Sequence, residues 1–140
     1  MQIKFIWLVL LFLSLQGCSF AVNLAFFNNT EATIEICNLN KTEHNCYKVG
    51  SNTLIKIPLI ASVQLGKWKY SINQKEYNFK FGVYPEHASN FYCSGFIQKR
   101  CDVPVQFESN GLLYWAGKES QLPVKNFGMQ PLGFPVKPNT

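Results

Sequence analysis

The sequence is short of the groups that enzymes use. It has one aspartate, Asp102, among its 8 acidic residues and only 2 histidines. None of the arrangements that organise such groups is present: no nucleophile elbow, no phosphate-cradling glycine loop, no metalloprotease helix and no Cys-x-x-Cys pair. His44 and Cys46 lie close to Cys37, but a zinc site takes four ligands and His87 is the sole further histidine. The expectation is therefore a chain with no metal and no other cofactor. Glu86-His87 is the one acid–base pair to consider, and a loop histidine is ordinarily just solvated. The chain reads as non-enzymatic, with a hydrolase around Glu86 and His87 as an alternative.

Other absences are equally informative. The formal charge of +5, from 13 basic against 8 acidic residues, is too weak for the electrostatic footprint of a nucleic-acid binder. No internal repeat and no helical periodicity occur. The longest apolar run, Phe5 to Leu15 with Ser14 interrupting it, is about half of the roughly 20 residues needed to cross a bilayer.

That run is a secretory leader. Basic Lys4 precedes it, and Gln16-Gly17-Cys18 ends it. Cleavage after Ser19-Phe20-Ala21 gives a secreted protein beginning at Val22. Leu15-Gln16-Gly17-Cys18 instead resembles the bacterial lipobox, with Leu three places before the cysteine and a small residue just before it; Gln16 departs from the small or β-branched residue usual there. The resemblance covers the leader alone. It implies acylation of Cys18, with palmitate-like chains as the membrane anchor, and loss of residues 1–17. Ser19 in place of an aspartate implies the outer membrane, facing the periplasm or the outside. The expected organisation is a signal peptide over 1–17, a lipid-anchor linker over 18–22, a β-domain over 23–122 and a proline-rich segment over 123–140.

Cysteine parity agrees with export. Of 5 cysteines, Cys18 belongs to the leader or anchor, and an even set remains for disulfides. Three pairings are possible; the spacing favours Cys37 with Cys46 and Cys93 with Cys101, each closing one polar loop.

Period-two alternation bounded by Asn, Gly, Ser and Pro recurs through the chain beyond the leader, which predicts an all-β domain. Strands are expected over Val22–Asn28, Ala32–Cys37, Thr53–Pro58, Ser62–Leu65, Lys67–Ile72, Tyr77–Gly82, Val103–Glu108 and Leu112–Ala116. Eight short strands suit a two-sheet, immunoglobulin-like sandwich, or else a small barrel. A two-residue turn at Asn110-Gly111 would pair Phe107 with Tyr114 and Val105 with Ala116, turning Val105, Phe107, Leu112 and Tyr114 inward. A four-residue loop at Asn73–Glu76 would pair Ile72 with Tyr77, Tyr70 with Phe79 and Trp68 with Phe81, an aromatic ladder at the centre of the core. Pro123, Pro131, Pro135 and Pro138 forbid a central strand in the last residues. Phe127, Met129, Leu132, Phe134 and Val136 are too apolar for a free tail, so an extended segment laid over the domain is expected.

Two surfaces follow from these registers. Lys69 would face Lys80 with Lys67 alongside, a repulsion that ordinary solvation explains or that marks an anion-binding face. Leu113 and Trp115 would point away from the core and need cover, either from the tail or from a docking partner. Two sequons, Asn28-Asn29-Thr30 and Asn40-Lys41-Thr42, would accept glycans in a eukaryotic secretory pathway but carry little weight in a bacterium.

The function these observations favour is an envelope lipoprotein acting as a binding or structural module, meeting the membrane through its anchor and an envelope protein or glycan through its surface. An inhibitor or immunity protein against a cell-wall hydrolase or toxin is the second reading. Tyr114-Trp115-Ala116-Gly117-Lys118 resembles a short stretch of the lysozyme inhibitors, a likeness of five residues that carries over no functional residue.

Overall fold

The computed structural model describes residues 20–38, 45–59, 66–72, 75–81, 92–95 and 99–139. The leader, Cys18, the expected strand Ser62–Leu65, His44, the Glu86-His87 pair and the Asn40 sequon lie outside the described residues.

The described chain is all-β. Its strands are β1 (Phe20–Asn29), β2 (Ile34–Asn38), β3 (Asn45–Val49), β4 (Thr53–Leu59), β5 (Gly66–Ile72), β6 (Lys75–Phe81), β7 (Tyr92–Ser94), β8 (Lys99–Glu108) and β9 (Leu113–Trp115). They form two sheets. The larger runs β4-β1-β8, with β7 and β9 pairing in succession along the same edge of β8; the smaller runs β3-β2-β5-β6. All pairs are antiparallel except β1 with β8, which run parallel from Phe20↔Lys99 to Asn29↔Glu108. The order closes no barrel among the described residues. Strands β3 and β7 are additional to those expected. Strand β1 begins at Phe20, inside the range 18–22 expected to precede the domain, with Phe20 and Ala21 pairing with Lys99 and Arg100.

Alternation explains the packing. Val22, Leu24 and Phe26 of β1 and Val103, Val105 and Phe107 of β8 point inward, and Ile34, Ile36, Val49 and Phe79 meet them from the smaller sheet. Phe107 is the pivot, stacked on Phe26 and met edge-on by Phe79, with ring centroids 6.4 Å away in both cases. Each such fully buried side chain contributes about 1.5–3 kcal/mol of transfer free energy. Pro104 is tolerated inside β8 because of its position. Its carbonyl accepts from Ala116 N at the end of the β9 ladder, so its missing N–H falls where that pairing stops.

Two expected registers are corrected. The β5–β6 register is shifted by two residues from that expected, giving Ile72↔Lys75, Tyr70↔Tyr77, Trp68↔Phe79 and Lys67↔Lys80. A slip of two keeps every side chain on its expected face. Lys69 consequently lies opposite Asn78, and the like-charged pair is Lys67 with Lys80.

The β8–β9 turn takes three residues. Gly111 N donates to Glu108 O, and Glu108 N donates to Leu112 O. Only Gly111 of the Asn110-Gly111 pair has positive φ (80°), whereas the two-residue turn demands it of both. This is a turn followed by a left-handed glycine, and it gives Phe107↔Leu113 and Val105↔Trp115. A slip of one inverts the faces. Leu113 and Trp115 are therefore core residues, 0% and 6% exposed, and do not form a docking patch; Tyr114 turns outward.

The proline-rich segment is ordered along residues 117–139. On the outer face of the larger sheet, the Gln106 amide clasps Val124, donating to its carbonyl at 2.9 Å and accepting from its N–H at 2.7 Å. The Gln130 amide makes the same pair of bonds to Trp115 O and N, at 3.1 and 2.8 Å. Each glutamine side chain thus acts as a one-residue strand. Val136 then exchanges both backbone bonds with Leu113, and Asn139 N donates to Asn78 O, so the segment passes from the edge of one sheet to the edge of the other. Phe134 meets Trp115 edge-on at 5.3 Å. Met129 and Leu132, expected among the packed residues, are exposed instead.

The chain crosses between the sheets twice at one end, from β1 to β2 and from β3 to β4. Asn28, 0% exposed, holds both crossings. Its Nδ2 donates to Ala32 O, Val49 O and Gly50 O, while its Oδ1 accepts from Thr30 N and Thr30 Oγ1. The sequon asparagine is thus a structural residue with no surface to carry a glycan. Each buried polar group left unpaired costs about 1–3 kcal/mol. Asn28→Ala should accordingly lower the unfolding free energy by about 3 kcal/mol or more in urea denaturation, and a loss under about 1 kcal/mol would refute this role.

Candidate functional site

Beside that junction, β1 and β8 end in parallel, placing Asn29 against Glu108. Asn29 Nδ2 donates to both carboxylate oxygens of Glu108, at 2.9 and 3.1 Å. Gln106 Nε2 donates to Glu108 Oε1. The Gln106 amide is itself fixed by Val124, so one of the two side chains that orient the carboxylate has little freedom of its own.

A groove of about 430 Å³ opens over this carboxylate, lined by Asn29, Glu108, Asn110, Tyr114, Pro123, Val124, Lys125 and Phe127. Three elements build it: the ends of β1 and β8, the three-residue turn with the first half of β9, and the tail. The one-residue register slip delivers Tyr114 to this wall. Its ring stacks on Phe127 with centroids 4.2 Å apart and planes 9° apart, and its hydroxyl accepts from Asn110 Nδ2 at 3.1 Å. Asn110 Oδ1 meanwhile accepts from Leu112 N, fixing the turn. Lys125 is exposed at the rim. The groove combines one held carboxylate, one ammonium, a phenol and apolar ring surface.

Farther along the same face, Lys56 Nζ bridges Asp102 Oδ2 at 2.7 Å and Glu119 Oε2 at 2.9 Å, and Asn23 Nδ2 donates to Asp102 Oδ1 at 2.9 Å. Glu119 opens the 3-10 turn Glu119–Gln121, so this network ties the tail to β4 and β8. Burial pushes the Asp102 carboxyl up, but the hydrogen bonds from Lys56 and Asn23 outweigh it and leave the pKa below the ordinary 3.8. The hydrogen bonds to Asp102 and then Glu119 hold Lys56 above its ordinary 10.5 against the opposing effect of burial.

The residues singled out from sequence fall elsewhere. Cys37–Cys46 and Cys93–Cys101 are disulfides, with S–S distances of 2.08 and 2.01 Å. Each joins directly opposed residues of neighbouring strands, β2 to β3 and β7 to β8. Loops of this size gain about 2.5 kcal/mol from chain entropy. Lys67 and Lys80 are register partners on β5 and β6 and Lys69 pairs with Asn78, and none of the three is among the groove's lining residues. Cys18 lies outside the described residues. Asn29, Asn110 and Tyr114 drew notice in the sequence only as sequon, turn and hairpin residues, and the groove itself was not foreseen, because Asn29 and Glu108 are brought together by a parallel pairing between distant strands. Comparison with protein-family models, with characterised proteins and with solved structures finds no match for this chain.

The pH dependence of the tail tie has a definite sign. Asp102, with a lowered pKa, contributes stability that is present above 3.8 and lost as pH falls through its folded value; Lys56, with a raised pKa, contributes below 10.5 and loses it as pH rises through its folded value. The pair is solvent-screened, so Lys56→Met should cost about 0.5 kcal/mol at neutral pH. That difference from wild type should be flat from about pH 5 to pH 9 and vanish in acid. A difference that persists below the folded pKa of Asp102 would assign the loss to packing of the lysine stem.

Proposed function

We propose that the protein is an exported envelope lipoprotein, anchored through Cys18 in the outer membrane, whose all-β domain is a non-enzymatic binding module using the groove over Glu108. The observation that carries the binding reading is the preoriented Glu108 carboxylate, held by Asn29 and Gln106 in an open groove. Glu108 is the one carboxylate among the groove's lining residues. Glycoside hydrolysis ordinarily uses a pair, which favours binding over cleavage of a glycan.

Two features support export and the choice of Cys18. The cross-strand disulfides suit an oxidising compartment. Cleavage before Val22 would strip Phe20 and Ala21, and with them the first two residue pairs of the parallel β1–β8 ladder; processing at Cys18 leaves that ladder whole. Cys18 then stands two residues before β1. The domain sits directly on the bilayer without a spacer, and the groove, at the opposite end of a ten-residue strand, projects about 30 Å from the anchored end.

Intact mass of protein extracted from its native membrane, with and without reduction, tests this reading. A chain starting at Cys18 with added acyl mass, gaining four hydrogens on reduction of its two disulfides, is the expected result. An unacylated chain starting at Val22 would contradict the anchor and favour a secreted inhibitor of a wall hydrolase or toxin.

A further inference from the structure

Resting on the reading of the groove as a binding site, we infer that its ligand is a saccharide ring of an envelope glycan. The lining residues specify that chemistry by their mixture. Glu108 only accepts, and Asn29 and Gln106 fix the direction in which it does so. The Tyr114 hydroxyl accepts from Asn110, which leaves its own proton to donate outward. Lys125 at the rim only donates. Around these groups the stacked rings of Tyr114 and Phe127, with Pro123 and Val124, supply C–H and ring surface.

A ligand that satisfies all of them carries hydroxyl donors for Glu108, oxygen acceptors for Lys125 and Tyr114, and an apolar face. A pyranose ring has these in one rigid unit. Charge balance argues the same way. Glu108 would welcome a cation and Lys125 would repel it, an anion meets the reverse, and the two lining charges cancel for a neutral ligand. The volume of about 430 Å³ falls within the size class of small-ligand sites and suits a short stretch of glycan. The position is apt too, because a groove at the end of the domain away from the anchor meets polymer that the bilayer does not cover.

The test is an NMR titration of the full mature protein with chitotetraose, cellotetraose and maltotetraose, alongside tetralysine as a cationic peptide. At least one tetrasaccharide should shift the ring signals of Tyr114 and Phe127 saturably. Glu108→Gln should weaken that binding about tenfold. Lys125→Gln, a substitution at an exposed side chain, should weaken it measurably in a protein whose unfolding is unchanged, which covers the case of a poorly folded Glu108 variant. Failure of all three sugars at about 10 mM overturns the saccharide assignment. Tetralysine binding that depends on Glu108, with no sugar binding, removes the saccharide class and keeps the groove as a site. If no probe binds, both readings fall.

Discussion

The fold depends most on one buried amide. Asn28 stands where the chain twice changes sheets, and its side chain supplies donors to three carbonyls and an acceptor to two groups of Thr30. Neither crossing segment can form backbone ladders of its own, and inside a core an unpaired peptide group costs more than a hydrogen bond gains. A hydrophobic residue at this position could fill the space but could not pair those groups. Ser51 Oγ, donating to Thr30 O at 2.7 Å, adds a second link between the same two crossings. The end of the domain that carries the groove is therefore braced from within, and Asn29 stands beside Glu108 directly after the residue that does the bracing.

The parallel pairing of β1 with β8 supplies the long axis. Most of the molecule is built from local antiparallel pairs, but this contact joins strands nearly eighty residues apart and sets Phe20 beside Lys99 at one end and Asn29 beside Glu108 at the other. Under the proposed lipid anchor, these ends acquire different roles. The first would lie at the bilayer; the second holds the groove. The tail then locks the arrangement, using two glutamine amides in place of strands and closing from the larger sheet onto Asn78 of the smaller one.

Much of the architecture was legible in local pattern. Alternation along β1, β4 and β8 marks the all-β class, and cysteine spacing picks out the disulfides that form. The β5–β6 register was off by two residues, which did no harm to the assignment of faces. The β8–β9 register was off by one, and that inverted Leu113, Tyr114 and Trp115. Asn-Gly serves both a two-residue and a three-residue loop; what decides is whether Leu113 and Trp115 or Leu112 and Tyr114 fill the space beside Phe107, a packing question that no window of sequence contains. The groove was illegible for a related reason. Its residues come from a non-local parallel pair, from the turn and strand whose register slipped, and from a tail held by Gln106 and Gln130, polar residues that look like ordinary surface until their partners are known.

In the proposed arrangement, anchor and groove occupy opposite ends of one strand pair. Fluorescence quenching by lipid-borne quenchers tests it directly, with a small dye introduced as an unnatural amino acid at Ser94, which pairs with Arg100 near the anchored end, or at Asn110 beside the groove; both positions are exposed. The account predicts strong quenching from Ser94 and little from Asn110 in the membrane-bound protein. Equal quenching at the two positions, or the reverse order, would contradict it.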